Sequence, residues 1–527
     1  MKGPHTVSPR NRSRVFALAA ATAVLAGTAA APSATALVAE PSGPTSAADI
    51  KVTNRVTNTL SSHAIGVNTP FWNPYLTRPD TPELIRKAGI STLSFNAGGP
   101  GDLYHFQNGG WLSPDPNGKN NGGYEDLDPT FTFDQFAKTA QDAHAGMLVH
   151  VNYGTGPTDT KAHPSTTEHP KPGDPREAAA WVRYANRTHH YDVHDWVVGE
   201  ETYLNGWFSN PKYPAPKEPD AHTDKSPTAY ARNSIAYAKA MKAVDPSIRV
   251  GIEFFPNDPA TAHDPGKSKL KEWDDAVLNT PGLAKAVDFV DIHWYHPTFS
   301  GKFDDASVLA DTARTAPVLK ALRASLDQAS GPRHHIDIVA GESNSGVFPT
   351  QQQDNAVGAL YLLDSNLSLL ESGVSDVDWW ALYNGPSSTK DGGWGDLGLL
   401  SSGKCPWDQP KKKHCEPPVG TPFAPYNTLR MLTTALKGGG ATLATTTTGG
   451  SGTLTTHAVR RADGTLAVVV VNKDPKQTQS FHLSLPAGYH TDRTLTWQRG
   501  DSTPTTHRGA APTSLAPYSA AVILLNR

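Results

Sequence analysis

Cysteine is almost missing from this chain. Only Cys405 and Cys415 occur in 527 residues, so no disulfide framework organises the fold. In an exported protein two cysteines ten positions apart join as a local clip; in a reducing compartment they would stay free thiols. An excess of charge of one sign is also missing: 47 basic against 50 acidic residues leave a formal charge of -3. That balance excludes nucleic acid as a partner. Beyond the N-terminus no apolar run approaches the ~20 residues a membrane-spanning helix needs, which excludes a membrane partner. No Gly-x-Gly-x-x-Gly turn follows the first strand-like run, and neither a His-Glu-x-x-His motif nor an EF-hand loop occurs. What remains is globular: 37% hydrophobic residues, 18% charged, and 45 Gly and 44 Pro dispersed over many loops.

The first 36 residues read as a secretory signal peptide. Lys2, Arg10, Arg12 and Arg14 precede an apolar stretch over 15–31, and Ala34-Thr-Ala36 supplies a small-residue cleavage site. Secretion to the extracellular space follows. Residues 37–60 are then a Pro/Ser/Thr-rich linker and an alternating strand that joins a C-terminal sheet domain.

From residue 61 a regular rhythm begins. Strand-like runs occupy 63–69, 91–96, 147–153, 195–201, 248–255, 287–295, 336–342 and 374–383. Helical patterns lie between them. Ser226-Pro227 and Asp174-Pro175 are cap-plus-proline starts, and 131–144, 306–328 and 351–372 carry helical periodicity. Eight strand–helix alternations predict an α/β fold, a (β/α)8 barrel over 61–437, with an open doubly wound sheet as the runner-up. In a barrel the C-terminal strand ends converge on one face. Asn152, Tyr153, Glu200, Glu201, Glu253, His293, Trp294, Tyr295, Glu342, Trp379 and Trp380 then encircle one pocket. Residues 438–527, rich in Thr, Gly and Val with short strands at 453–459, 466–472, 481–485 and 520–525, predict a β-sandwich.

Two of these residues carry chemistry. Glu201, in Trp196-Val-Val-Gly-Glu-Glu-Thr-Tyr203, and Glu342, in Ile336-Asp-Ile-Val-Ala-Gly-Glu-Ser-Asn344, each close an apolar strand. Glycoside hydrolysis needs one carboxyl to protonate the leaving oxygen and another to attack the oxocarbenium-like centre. Either glutamate alone is more often a solvated or salt-bridged strand end. A second cluster, His189, His190, Asp192 and His194, has metal-ligand chemistry, but it precedes strand four and belongs at the opposite end of the barrel. It is read as structural, and no metal or organic cofactor is assigned. Lys411-Lys-Lys413 is read as a solvated charge run.

The order of motifs, Trp196 to Tyr203, Asp245-Pro-Ser-Ile-Arg-Val-Gly251, Asp288-Phe-Val-Asp-Ile-His-Trp-Tyr295 and Gly341-Glu342, resembles secreted arabinofuranosidase-like glycoside hydrolases of the retaining (β/α)8 clan A superfamily. The resemblance spans most of 60–435. It implies Glu201, ending strand four, as acid/base and Glu342, ending strand seven, as nucleophile. It further implies Tyr295 as a hydrogen-bond partner of the nucleophile and Trp380 or Trp379 as a floor under the sugar. Residues 93–105, including Tyr104, and Asn152-Tyr153 resemble the second and third βα loops of these enzymes; with His293 they complete the candidate substrate contacts. A carbohydrate partner, a monomer and the absence of cofactors are expected.

One position departs from the pattern. Asn usually precedes the acid/base, and here Glu200 stands there. A carboxylate cannot donate a hydrogen bond. Glu200 is then protonated and donating, or in contact with another substrate group, or the sign of a lost activity. The expected function is a secreted retaining α-L-arabinofuranosidase. The alternatives are a xylosidase, glucuronidase or endo-glycanase, a carbohydrate-binding protein on a degenerate barrel, and an unrelated barrel hydrolase with structural glutamates.

Overall fold

The computed structural model of the protein describes residues 46–107, 110–111, 129–157, 171–205, 220–256, 268–297, 303–347, 350–389, 393–406 and 414–527. The segment read as a signal peptide, most of the linker, the lysine run and most of the loops at 109–128, 156–174 and 205–225 lie outside these residues.

Eight parallel strands close into a barrel: β1 (Ile65–Asn68), β2 (Thr92–Phe95), β3 (Gly146–Val151), β4 (Asp195–Val198), β5 (Arg249–Phe254), β6 (Phe289–Tyr295), β7 (Asp337–Asn344) and β8 (Asp376–Trp379), with β8 returning to pair with β1. Each run predicted from the sequence overlaps one of them. Helices follow every strand: α1 (Thr81–Ala88), α2 (Phe133–Ala143), α3 (Pro175–Val182), α4 (Pro227–Val244), α5 (Ser268–Leu278), α6 (Thr315–Ser330), α7 (Ala356–Glu371) and α8 (Ala424–Leu436). Their starts follow local chemistry. Ser226 accepts from the Ala229 amide ahead of Pro227, Asp174 accepts from the Arg176 amide, and Thr132 with Gln135 forms a capping box. The helix predicted over 306–328 is broken. Asp305–Ala310 leads into a 3-10 turn at Asp311–Arg314 before α6 begins, and the Asp311 carboxylate takes the Arg314 Nε at 2.8 Å within that turn.

The strands show why the barrel has two kinds of wall. Val149, Trp196, Val198, Val250, Ile252, Val290, Ile292, Ile338 and Val377 face outward into the helix layer and join the main core, while Leu148, Val197, Phe289 and Val339 form a separate apolar plug inside the barrel. Alternation along a strand dictates this split. Gly251 sits directly under the Phe289 ring, where a Cβ would lie 2.2 Å from a ring carbon.

The C-terminal domain is one curled, mixed nine-stranded sheet, so the predicted sandwich is a single sheet wrapped over its own core. Its strands are β9 (Gly440–Thr448), β10 (Leu454–Arg461), β11 (Leu466–Asn472), β12 (Gln479–Ser484), β13 (His490–Gln498), β14 (Thr505–Arg508), β15 (Ser514–Leu515) and β16 (Ser519–Asn526), in the order β14-β13-β16-β11-β10-β9, then the N-terminal strand Ala48–Leu60, then β12-β15. The N-terminal strand pairs antiparallel with β9 and parallel with β12. The threonine run that ends β9 is its second half, paired with the N-terminal strand. Central strand β11 is buried on both faces: Leu466, Val468 and Val470 enter the sheet's own core, and Ala467, Val469 and Val471 face the barrel.

Helix α7 is the wedge between the two domains, and almost all of its residues are buried. It carries Asp364, whose carboxylate takes His457 Nε2 from β10 at 2.8 Å, Lys473 Nζ at 2.9 Å and Thr312 Oγ1 at 2.8 Å. His457 Nδ1 also faces Glu371 at 3.1 Å. Burial opposes both charges, but Lys473 and His457 hold the Asp364 carboxyl far below its ordinary range. Glu371 and Asp364 raise His457 to about 10. A buried charge left without its partner costs about 3–5 kcal/mol, so Asp364→Asn is expected to lower unfolding stability by that order in denaturant titrations. The sign of the pH dependence follows from His457. Its folded-state value lies above the unfolded one, so its contribution is complete below about pH 6.5 and is lost as pH rises toward 10. Melting temperatures of the wild type should fall across that window, and Asp364→Asn should flatten the fall.

Candidate active site

Glu201 and Glu342 meet at the C-terminal mouth of the barrel. Strand β4 ends at Val198, after which Gly199 at φ 86° and Glu201 at φ 40° turn the chain through left-handed backbone. That turn resolves the neighbouring glutamates. Glu200 drops into the barrel, 1% exposed, while the Glu201 side chain stays at the mouth, 26% exposed. Glu342 reaches the same mouth by another route. Pairing of β7 with β6 slips between Val339 and Glu342, so Glu342 aligns with inward-facing His293. The Gly341 amide donates to Asp291 Oδ1 at 2.7 Å and its carbonyl accepts Asn68 Nδ2 at 2.8 Å, which pins this bulge.

One imidazole joins the two carboxyls. His293 Nδ1 lies 2.9 Å from Glu201 Oε1 and 3.3 Å from Glu342 Oε2. Sharing one nitrogen limits these oxygens to at most ~6.2 Å, below the ~6.5–9.5 Å separation of inverting glycosidases. The Tyr295 hydroxyl donates to Glu342 Oε2 at 2.6 Å, and the Tyr203 hydroxyl donates to Glu201 Oε1 at 3.0 Å. Burial pushes the Glu342 carboxyl up, with Glu200 and Glu201 adding to the rise, and His293 and Tyr295 oppose it. Burial alone would lower His293, yet the surrounding Glu342, Glu201, Glu200 and Glu253 raise it well above its ordinary value.

Arg314 supports this edge from behind. Its guanidinium lies over the Trp294 ring at 3.9 Å and Nη2 donates to the Tyr295 carbonyl at 2.7 Å. Trp294 and Trp379 both face outward into the core; Trp379 packs on Tyr361. Trp380 faces the mouth instead, half-buried, 6.1 Å from Trp72, and its indole N–H donates to Asn384. Gly98, at φ 88°, fits between the two indoles, where a Cβ would lie under 3 Å from both. Trp72 was not anticipated, although its place just after β1 is the signal that could have found it.

Three expected substrate contacts lie elsewhere. Tyr104 is fully buried against Phe71, Phe95 and Trp181. Asn152 spends its amide on the Tyr104 carbonyl and Thr155, and Tyr153 stacks on His222 with its hydroxyl accepting from Asn233. These side chains pack the loop base. Asp102, from the same motif as Tyr104, builds the site instead: its carboxylate takes the amides of Tyr153, Gly154 and Glu200 and so ties three βα loops together. Burial lifts it to about 7, against these donors.

Beneath the mouth lies a layer that the sequence did not reveal as a unit. His150 of β3, Glu253 of β5 and Asp291 of β6 join Glu200 and His293, all nearly inaccessible to solvent. His150 Nδ1 is 3.0 Å from Glu200 Oε2 and 3.6 Å from Glu253 Oε1; His293 Nε2 is 3.8 Å from Glu253 and 3.9 Å from Glu200. Burial is the first cause raising all three acids, Glu200, Glu253 and Asp291. Glu200 thus faces His150 and the barrel interior, with one oxygen within 4.8 Å of a Glu342 oxygen. Strand parity was the available signal, since His150, Glu253 and Asp291 fall on inward positions. His189, His190 and His194 lie before β4 and do not approach this layer; His194 Nδ1 contacts Asp195 at 3.1 Å and His189 packs on Tyr184. Cys405 and Cys415 are disulfide-bonded.

No family model matches the sequence, and no curated protein matches it. Solved structures do. The chain superposes on an α-L-arabinofuranosidase from Thermotoga maritima, crystallised with arabinose, at TM-score 0.64 and 16% identity, covering 90% of this chain and 99% of that one. A family 51 α-L-arabinofuranosidase from Bifidobacterium longum gives 0.63 at 12% identity over 91% and 99%. A Paenibacillus polymyxa xyloglucanase of glycoside hydrolase family 44 gives 0.60 at 15% identity, again over 91% and 99%. The fold is shared with these glycoside hydrolases. It extends through the C-terminal sheet as well as the barrel.

The Gly341 bulge offers a direct check. A Cβ there would lie 2.3 Å from Asp291 Oδ1, and overpacking of this kind costs about 1–3 kcal/mol. Gly341→Ala is expected to lower the melting temperature and, by displacing Glu342 from His293, to reduce any activity of the site at temperatures where the variant remains folded.

Proposed function

We propose that this protein is a retaining O-glycoside hydrolase, with Glu342 as nucleophile and Glu201 as acid/base. The observation that carries the reading is the His293 bridge, which holds the two carboxyls face to face at the barrel mouth with one open to solvent and one sheltered. Glu342 attacks the anomeric carbon while Glu201 delivers a proton to the departing oxygen. The covalent glycosyl-enzyme is then hydrolysed by a water that Glu201 deprotonates. Tyr295 holds the Glu342 oxygen that is not forming the bond.

The substrate class is plant or microbial polysaccharide, and the first sugar to test is L-arabinofuranose, supported by the arabinofuranosidases among the structural neighbours. Trp380 and Trp72 offer apolar faces for a sugar ring. The N-terminal signal pattern supports action outside the cell. Glycanase activity is the competing outcome, supported by the xyloglucanase likeness.

A panel of aryl glycosides with arabinoxylan and xyloglucan tests the assignment. Glu342→Gln is expected to reduce turnover of the accepted substrate by about 10³-fold or more, consistent with loss of the covalent route. Glu201→Gln should depress poor leaving groups by about 10²–10⁴-fold and activated aryl leaving groups far less. An activated 2-fluoro sugar should label Glu342, as read by peptide mass spectrometry. Full turnover by Glu342→Gln, or label on another residue, overturns the reading.

A further inference from the structure

The acidic layer under the mouth has a charge problem that its own residues leave unsolved. Glu200, Glu253 and Asp291 are buried with no lysine or arginine in contact among the described residues; the arginine inside the barrel, Arg249, lies at the opposite end, paired with Asp337 at 2.7 Å. Burying several carboxylates without compensating cations is costly. The two histidines do not complete the hydrogen bonding either. Both oxygens of Glu253, Oδ2 of Asp291, Nε2 of His150 and Nε2 of His293 are buried and lack a hydrogen-bond partner.

The tautomer of His293 gives this set a direction. Nδ1 faces two carboxylate oxygens at 2.9 and 3.3 Å and must carry a proton to do so. In the neutral ring Nε2 then presents a lone pair into the barrel, toward Glu253 Oε2 at 3.8 Å. Two acceptors at that distance are too far apart for a hydrogen bond and close enough to bind one central atom. Asp291 completes the set, since Glu253, Asp291 and His293 each place one ligand atom within 4.8 Å of the others. Asp291 Oδ1 is held by the Gly341 amide, which fixes the carboxylate and leaves Oδ2 free, 3.8 Å from His150 Nε2.

We propose that Glu253, Asp291 and His293 form a buried site for a divalent first-row transition ion, of the zinc or manganese class, with His150 at its edge. One imidazole and two carboxylates are a borderline donor set, which suits these ions better than calcium or magnesium. The ion supplies the positive charge that the layer lacks, and it replaces the proton that His293 Nε2 otherwise takes up. Through His293 it also fixes the ring that bridges Glu201 and Glu342.

The test does not depend on any glycosidase activity. Full-length protein, desalted without chelator, is assayed for metal by mass spectrometry, and its melting temperature is followed with a strong chelator and after return of zinc or manganese chloride. About one equivalent per chain, a melting temperature lowered by chelator and restored by one of the two ions, is the expected result. Glu253→Gln and Asp291→Asn should lose the metal, while Asp378→Asn, at a buried acid outside the set, should keep it. If the variants fail to fold, the chelator experiment on the wild type decides alone. Metal well below one equivalent together with no response of the melting temperature to either ion overturns the proposal and leaves shared protons as the balance of charge. So does retention of the metal by folded Glu253→Gln and Asp291→Asn.

Discussion

The burial of acid inside the barrel is the constraint around which the rest of the molecule is arranged. A barrel of this kind ordinarily fills its interior with layers of branched apolar side chains. Here the apolar layer is a single plug, Leu148, Val197, Phe289 and Val339, and the layer above it is made of His150, Glu253, Asp291 and His293. Room for these groups comes from glycine on neighbouring strands. Gly341 leaves space for Asp291, and Gly66 leaves space for Asp378, whose Oδ1 would lie 1.7 Å from a Cβ at that position. The strands are therefore shaped by their polar contents as much as by their apolar backs.

The same constraint sets how the two mouth carboxyls are aimed. Regular strands would send Glu200 and Glu201 to opposite faces and would leave Glu342 on the outward face with Ala340. A left-handed residue at Glu201 and a bulge at Gly341 and Glu342 break that alternation at two strand ends. Non-glycine residues with positive φ are held only where their surroundings over-determine them. Here the surroundings are His293, Tyr203 and the Asp102 clamp on the Glu200 amide. The backbone irregularities sit at the residues whose side chains face each other across the mouth.

This division explains what could be read from the chain beforehand. Strands β1 to β8 were legible because each outward face is a run of Val, Ile and Trp long enough to stand apart from its loops, and Glu201 and Glu342 were legible as the polar residues that end two such runs. Bulges have no such signature, so the inward turn of Glu342 could be inferred only from resemblance. Tyr104, Asn152 and Tyr153 show a related point: a strand end fixes which residues are near the mouth, whereas packing against Phe95, Trp181 and His222 decides which of them are buried. The acidic layer was spelled out in single residues spread over three strands, and nothing in one dimension announces that they share a face. In the sheet, β14 is fully exposed and β9 is largely threonine, so neither carries the apolar alternation that marks a strand.

The C-terminal sheet has a structural argument for its place. Helix α7 lies between β7, which carries Glu342, and β8, which leads to Trp380, and it packs on the sheet through an apolar surface that encloses Asp364, His457 and Lys473. A buried ion network of this kind contributes little net stability compared with apolar packing, but it is intolerant of displacement, because any slip leaves a charge without its partner. The sheet thereby fixes the rotation of α7 against the barrel, and α7 fixes the two strands whose ends supply the Glu342 carboxyl and the Trp380 ring. A displacement at those ends would move the Glu342 carboxyl relative to His293 and Glu201. The sheet's role in the site is therefore mechanical whether or not its outer surface binds a ligand.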